Sequence, residues 1–131
     1  MPLQVELVSP EGPLYTGEAD MVVARTVGGG DIAFLPGHVP LIGSLAVHPV
    51  KVVETGGATT SIAVHRGFVS VAGDRVTILS DVAEVASSID VSRAEAAKAR
   101  AEEALRTAAD DEDARAALRR AEVRLEVALG R

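Results

Sequence analysis

Hydrophobic and polar positions run through the first two thirds of the chain in short strand-length segments broken by turns, and then change period. Gln4–Val8 alternates polar and apolar residues, the two-residue period of a half-buried strand. Leu14–Thr16, Ala19–Thr26, Asp31–Leu35, Ile42–Val47, Val50–Glu54, Thr59–His65, Phe68–Val71 and Arg75–Leu79 read as further strands, with Val82–Val85 as a last short one. Turn residues punctuate them: Ser9–Pro13, Gly28–Gly30, Pro36–Pro40, Gly56-Gly57 and Gly73-Asp74. About ten short strands with frequent turns predict a β-sandwich or flattened barrel.

From Asp90 the period becomes helical. Asp90 is a good N-cap, and Ser92-x-x-Glu95 offers an alternative capping box. Ala94, Ala97, Ala101, Ala104/Leu105 and Ala108 recur on one helical face. Asp110–Asp113 interrupts that face and suits a loop followed by a helix N-terminus, where the dipole favours negative charge. Leu118, Ala121, Leu125 and Ala128/Leu129 form a second stripe. The short loop implies an antiparallel hairpin with an alanine-rich seam. The fold class is therefore mainly β plus α: an N-terminal β-sandwich over residues 1–86, then a C-terminal two-helix hairpin over residues 87–131. All six prolines and eleven of the twelve glycines precede the junction.

Composition narrows the function. The net charge is −6 and aromatics are 2% of the 131 residues, which argues against nucleic acid as a partner. Residues 1–86 carry nine acids and four bases, whereas residues 87–131 carry ten acids and nine bases. The sandwich is acidic, and the tail is nearly neutral but densely charged. There is no cysteine, hence no disulfide or thiol chemistry. No apolar run is long enough to span a bilayer, and the N-terminus does not read as a secretory signal.

Candidate chemistry gathers at the junction and beyond it. Arg93 and Arg100 are seven residues apart and share one helix face; Arg120 and Arg124 are four apart and share a face of the second helix. An antiparallel hairpin can bring these guanidinium groups around one pocket, a donor set suited to a polyphosphate. Ala94 and Ala97 leave room beside them, and Glu84 and Asp90 are acceptors for an amino group or a ribose. The bland alternative is a capped helix whose arginines pair with Glu95, Glu102, Glu103, Glu122 and Glu126 on a solvated face. His38, His48 and His65 have no metal-ligand spacing, so His38 reads as a turn residue. Gly28–Gly30 lacks the Gly-Lys-Ser/Thr that completes a phosphate loop. No nucleophile–base pair or metal cluster is visible, so the expectation is a non-catalytic protein without a metal.

The whole length resembles the epsilon subunits of bacterial F-type ATP synthases. The residues that carry the likeness are Val8-Ser9-Pro10-Glu11, Tyr15-x-Gly17 and the run from Gly30-Asp31 through Leu35-Pro36-Gly37-His38-Val39-Pro40-Leu41. Gly67-Phe68-Val69 and Val76–Glu84 are similar to that family's closing strands. Ala33 and Arg66 stand where the family commonly has glycine. Ile89-Asp90-Val91-Ser92-Arg93-Ala94 matches the family's nucleotide-binding motif, Ile/Leu-Asp-x-x-Arg-Ala.

The resemblance implies a rotor subunit in the central stalk. The sandwich would dock on the gamma subunit and the c-ring, at the cytoplasmic face of a bacterial membrane and attached only through the complex. His38, Pro40 and Leu41 are the implied docking residues. The hairpin would regulate: folded it permits ATP hydrolysis, and extended it meets the acidic segment of the catalytic beta subunit, within the alpha/beta assembly, through Arg115, Arg119, Arg120 and Arg124. ATP would be a regulatory ligand of Glu84, Ile89, Asp90, Arg93, Ala94, Arg100, Arg120 and Arg124. The rival readings are a free-standing ATP-sensing module, a structural subunit whose hairpin never moves, and an enzyme.

Overall fold

The computed structural model describes residues 2–130. Its elements are β1 (Leu3–Ser9), β2 (Gly12–Thr26), β3 (Gly30–Phe34), β4 (Leu41–Glu54), β5 (Thr59–Ala72), β6 (Arg75–Leu79) and β7 (Ala83–Val85). A single 3₁₀ turn (Ala86–Ser88) leads to α1 (Val91–Thr107) and α2 (Glu112–Leu129). The strands pair in the order β1-β6-β5-β4-β2-β3, and β2 pairs back onto β1, closing the sheet on itself. Among the described residues only the β1–β6 pairing is parallel. β7 lies beside the first half of β5.

Seven strands stand where the alternation predicts about ten, because three expected breaks are bends within longer strands. Gly17 stays paired with Val5, so β2 runs through it. Val47 and Pro49 stay paired with His65 and Ala63, so β4 runs through His48-Pro49 and β5 through Arg66-Gly67. Glycine, proline and a charged residue signal a change of direction, and here the direction changes while the pairing resumes on both sides, with only the Ala46–Arg66 step unpaired in β4–β5.

The bend in β4 and β5 positions everything that follows. Leu45 and Val50 both face the core, as do Val64 and Val69. Each pair is five residues apart, an odd spacing, so both strands turn over in between. Phe34, Leu3, Leu7, Ile62 and Ile78 complete the core between the layers. The turnover leaves Val47 of β4 and Ala63 of β5 packed with Val123 and Val127 of α2, with Ile89 alongside.

The helices begin where the capping logic places them. Asp90 accepts from the Arg93 backbone N–H at 3.0 Å, and Asp111 accepts from Ala114 N–H at 3.0 Å. Glu112 and Asp113 occupy the first turn of α2, and Gly130 ends it in the left-handed conformation at φ 70°. Ala94 and Ala101 of α1 and Ala121 and Leu125 of α2 are buried, in keeping with the small-residue seam. The sequence stripe omits the second buried row, Val123 and Val127, which lies about 200° around the helix from Ala121 and Leu125. That row makes α2 the middle layer, with α1 on one side and the sheet on the other.

Docking of the hairpin therefore rests on few apolar groups. Burying Val123 and Val127 contributes roughly 3–6 kcal/mol before ordering costs, while the sandwich keeps a core of its own. A chain ending after Ser87 is expected to stay soluble and unfold cooperatively, checked by chemical denaturation; a broad or absent transition would show that the sandwich depends on the hairpin.

Candidate functional site: an arginine-lined cleft at the hairpin junction

The hairpin and the end of the sandwich enclose a cleft of about 340 Å³. Glu84 enters from β7, Ser88 from the 3₁₀ turn, Asp90 from the cap of α1, Arg93, Ala94, Ala97 and Arg100 from α1, and Arg124 from α2. Six of the eight residues assigned to a nucleotide site from the sequence line this one space: Glu84, Asp90, Arg93, Ala94, Arg100 and Arg124.

The other two do not line it. Ile89 packs with Ala63, Val123 and Val127 in the docking cluster. Arg120 is solvent-exposed on α2, one turn before Arg124. Its charge helps depress the His65 pKa, after burial and Arg124.

The acceptors are already engaged. Glu84 Oε1 accepts from Arg124 Nε at 2.7 Å and from His65 Nε2 at 3.0 Å. This three-residue bridge joins β5, β7 and α2. Asp90 Oδ1 caps α1 through the Arg93 backbone, which leaves the Arg93 side chain free to turn into the cleft. Among the described residues neither Arg93 nor Arg100 has an ion pair. Among the described residues no helix glutamate pairs with the cleft arginines; the one arginine–glutamate pair in the cleft is Arg124 with Glu84 of the sandwich. Pairs within the helices lie elsewhere, as Arg119 with Glu126 at 3.5 Å and Arg106 with Glu103. Two exposed guanidinium groups beside two alanines line an open space, a donor set chemically suited to an anion.

A second bridge fastens the hairpin on the other side, and the sequence gives no sign of it. Arg119 of α2 donates from Nε to the Val47 carbonyl at 3.1 Å and from a terminal nitrogen to His48 Nδ1 at 2.7 Å. The partners are 72 and 71 residues away in the chain. Burial, then Arg25 and Arg119, push the His48 pKa down against the pull of Asp31 and Glu126. Burial and the Arg124 charge push His65 down, opposed by the bond to Glu84.

Of the four arginines assigned to an inhibitory contact, two are held in these bridges, Arg119 and Arg124. Arg115 is exposed, donating to the Ala109 carbonyl at 2.7 Å, and Arg120 is exposed. Of the three docking residues, Pro40 is exposed and His38 is half-buried, stacked edge-on against Phe34 at 5.1 Å. Leu41 packs against the core instead. The apolar surface near this loop is made by Leu35, Val39 and Ile42, which are 52%, 71% and 78% exposed. Phe68 and Leu79, cross-strand partners, are exposed as well.

Comparison with known proteins decides the family. Residues 2–86 match the family model for the β-sandwich domain of the ATP synthase delta/epsilon chain, and residues 87–128 match that for its long α-helix domain. The chain belongs to the ATP synthase delta/epsilon family. It is 48% identical over 123 residues to the ATP synthase epsilon chain of Streptomyces griseus, covering 94% of this chain and 92% of that one. It is 45% identical over 130 residues to the epsilon chain of Halalkalibacterium halodurans, covering 96% of each. Among solved structures it is similar in fold to a chain of the Euglena gracilis mitochondrial ATP synthase OSCP/F1/c-ring, with a TM-score of 0.72, 22% identity, and 98% and 79% of the two chains covered. Members of this family are non-catalytic subunits of the synthase. No helix among the described residues is long and apolar enough to cross a membrane.

Proposed function

We propose that the chain is the epsilon subunit of a proton-translocating F-type ATP synthase rotor, docked on the gamma subunit and the c-ring at a bacterial membrane, and that its hairpin is an ATP-sensing brake on hydrolysis by the alpha/beta catalytic assembly. The observation that carries this reading is the composition of the cleft. Its residues come from β7, from both helices and from the junction, so the space exists only while the hairpin is folded down. A ligand held there binds the folded state and not the extended one, and shifts the equilibrium by that difference in affinity. Arg93 and Arg100 take the phosphates, and Asp90 or Ser88 takes the ribose or base.

The brake follows from the arginines of α2. Arg119 and Arg124 are occupied by Val47, His48 and Glu84 while the hairpin is docked. They become available to an acidic partner only on release, so docking and inhibition are mutually exclusive uses of the same groups. The exposed Leu35, Val39, Ile42, Phe68 and Leu79 supply apolar surface for the rotor partners.

Two measurements test this. Calorimetric titration of the isolated chain with ATP is expected to show binding at millimolar nucleotide or below. Deleting residues 88–131 from the reconstituted complex is expected to raise ATP hydrolysis while leaving the subunit bound to gamma. Unchanged hydrolysis would remove the brake, and loss of gamma binding would move the docking function into the hairpin.

A further inference from the structure

We infer that the Arg119–His48 contact is a proton-sensitive latch that holds the hairpin down when His48 is neutral and releases it when His48 gains a proton. Arginine has only donors, so the 2.7 Å contact requires a lone pair on His48 Nδ1. The docked ring is therefore the neutral tautomer with its proton on Nε2, facing Asp31 Oδ1 at 3.9 Å. A second proton has one place to go, Nδ1. It removes the acceptor of Arg119 and sets a cation against a guanidinium.

The groups around the ring favour release on balance. From α2, His48 faces Arg119 and Glu126; from β2 it faces Arg25; from β3 it faces Asp31. Asp31 is already claimed by Arg25, at 2.9 Å, and Glu126 lies 3.5 Å from Arg119. Both carboxylates thus have a permanent cation nearer than an imidazolium. The bridge at the other end acts in the same sense. His65 faces Glu84 from β7 and Arg124 and Arg120 from α2, its side chain is 3% exposed, and its Nδ1 is buried without a partner. A proton there is a buried, unpaired N–H beside Arg124.

The sign follows from linkage. In the docked structure burial, then Arg25 and Arg119, hold the His48 pKa below its ordinary 6.5; release removes Arg119, the acceptor-demanding contact at Nδ1 and the cover of α2, so the undocked form binds the proton more readily. Docking is at full strength above the ordinary value and weakens as pH falls below it. One histidine changes the release constant by at most about tenfold per pH unit. This rests on the hairpin being the moving element of the proposed function, and it adds that acidification, like loss of ATP, drives the hairpin toward its extended form.

Hydrogen exchange of the α2 amides in the isolated full-length chain reads the latch without any ATPase assay, so its outcome is independent of whether the extended form inhibits. Expressed as protection factors, which divide out intrinsic exchange, α2 protection is expected to fall at least severalfold between about pH 7.5 and 5.5, while protection in the sandwich core stays constant. His48→Asn keeps an acceptor near the Nδ1 position but cannot titrate, and is expected to flatten the part of the slope that His48 supplies. Arg119→Ala is expected to lower α2 protection already at neutral pH and to raise the His48 pKa, read by NMR titration of its ring. A pH-independent α2 in the wild type overturns the proposal. So does a His48→Asn chain with the wild-type slope, or a His48 pKa that Arg119→Ala leaves unmoved.

Discussion

Gly67→Ala is expected to destabilise the sandwich by about 3 kcal/mol or more. A Cβ built on Gly67 lies 2.2 Å from the Leu79 carbonyl oxygen and 3.1 Å from both the Leu79 carbonyl carbon and Ser80 Cα. All three are backbone atoms at the end of the neighbouring strand β6, so no rotamer change relieves the clash. The residue also has φ 153°, a conformation that side chains rarely adopt, and it follows Arg66 at φ 71°. These two residues make the turnover that lets β5 serve both layers. The local tie is tight as well, since Ser80 Oγ donates to the Arg66 carbonyl at 2.6 Å. Relief of the clash means pulling β6 and the following segment away from β5. In a domain of this size 3 kcal/mol lowers the melting temperature by at least about 12 °C and is a large share of total stability. Gly43→Ala is the control: its nearest side-chain neighbours would sit at 3.6 and 3.8 Å, ordinary contact, and its φ is unexceptional. Thermal and urea unfolding of the two variants decide the matter. A Gly67→Ala chain within 1 kcal/mol of the wild type would mean that β6 yields easily and that the bend is not held by backbone contact.

The same bend marks how far the sequence could be read. Periodicity locates every strand segment, because alternation reports which face is buried. It does not report whether a glycine or proline ends a strand or turns it over, and so Gly17, His48-Pro49 and Arg66-Gly67 pass for ends. The junction is legible in full. Asp90 and Asp111 cap their helices through contacts within three residues, which local sequence encodes. The cleft is legible in outline, since Arg93, Arg100 and Arg124 share it by helical spacing and hairpin geometry. Arg120 shares a face of α2 with Arg124 but sits one turn earlier and does not line the cleft; helical spacing says which face a residue occupies, not how far along that face the cleft runs. Nor does the helix stripe identify Val123 and Val127 as the row facing the sheet. The two latches are invisible for a related reason. His48 and His65 have no partner nearby in the chain, and their roles come from arginines that only the docked α2 brings to them.

Arg93→Ala is expected to weaken ATP binding by roughly ten- to a hundredfold. A hydrogen bond between a charged donor and a phosphate oxygen is worth about 1.5–3 kcal/mol, and each 1.4 kcal/mol is about a factor of ten in affinity. The position suits a clean test. Asp90 caps α1 through the backbone N–H of Arg93, not its side chain, so the substitution keeps the cap and the helix start. Alanine also has a better helix propensity than most residues, so α1 loses nothing locally. The side chain has no ion pair among the described residues, so its removal orphans no partner in the folded protein. Arg124→Ala is a poorer probe, because it strips Glu84 of its cation and loosens the hairpin as well. Glu102, exposed on α1 and outside the cleft, provides the control: Glu102→Ala is expected to bind ATP as the wild type does. If calorimetry finds that Arg93→Ala binds ATP as tightly as the wild type, the phosphates do not rest on Arg93. If the wild type itself shows no binding at millimolar ATP, the cleft is not a nucleotide site, and the hairpin is held down by its two arginine bridges and the Val123–Val127 contact without a ligand.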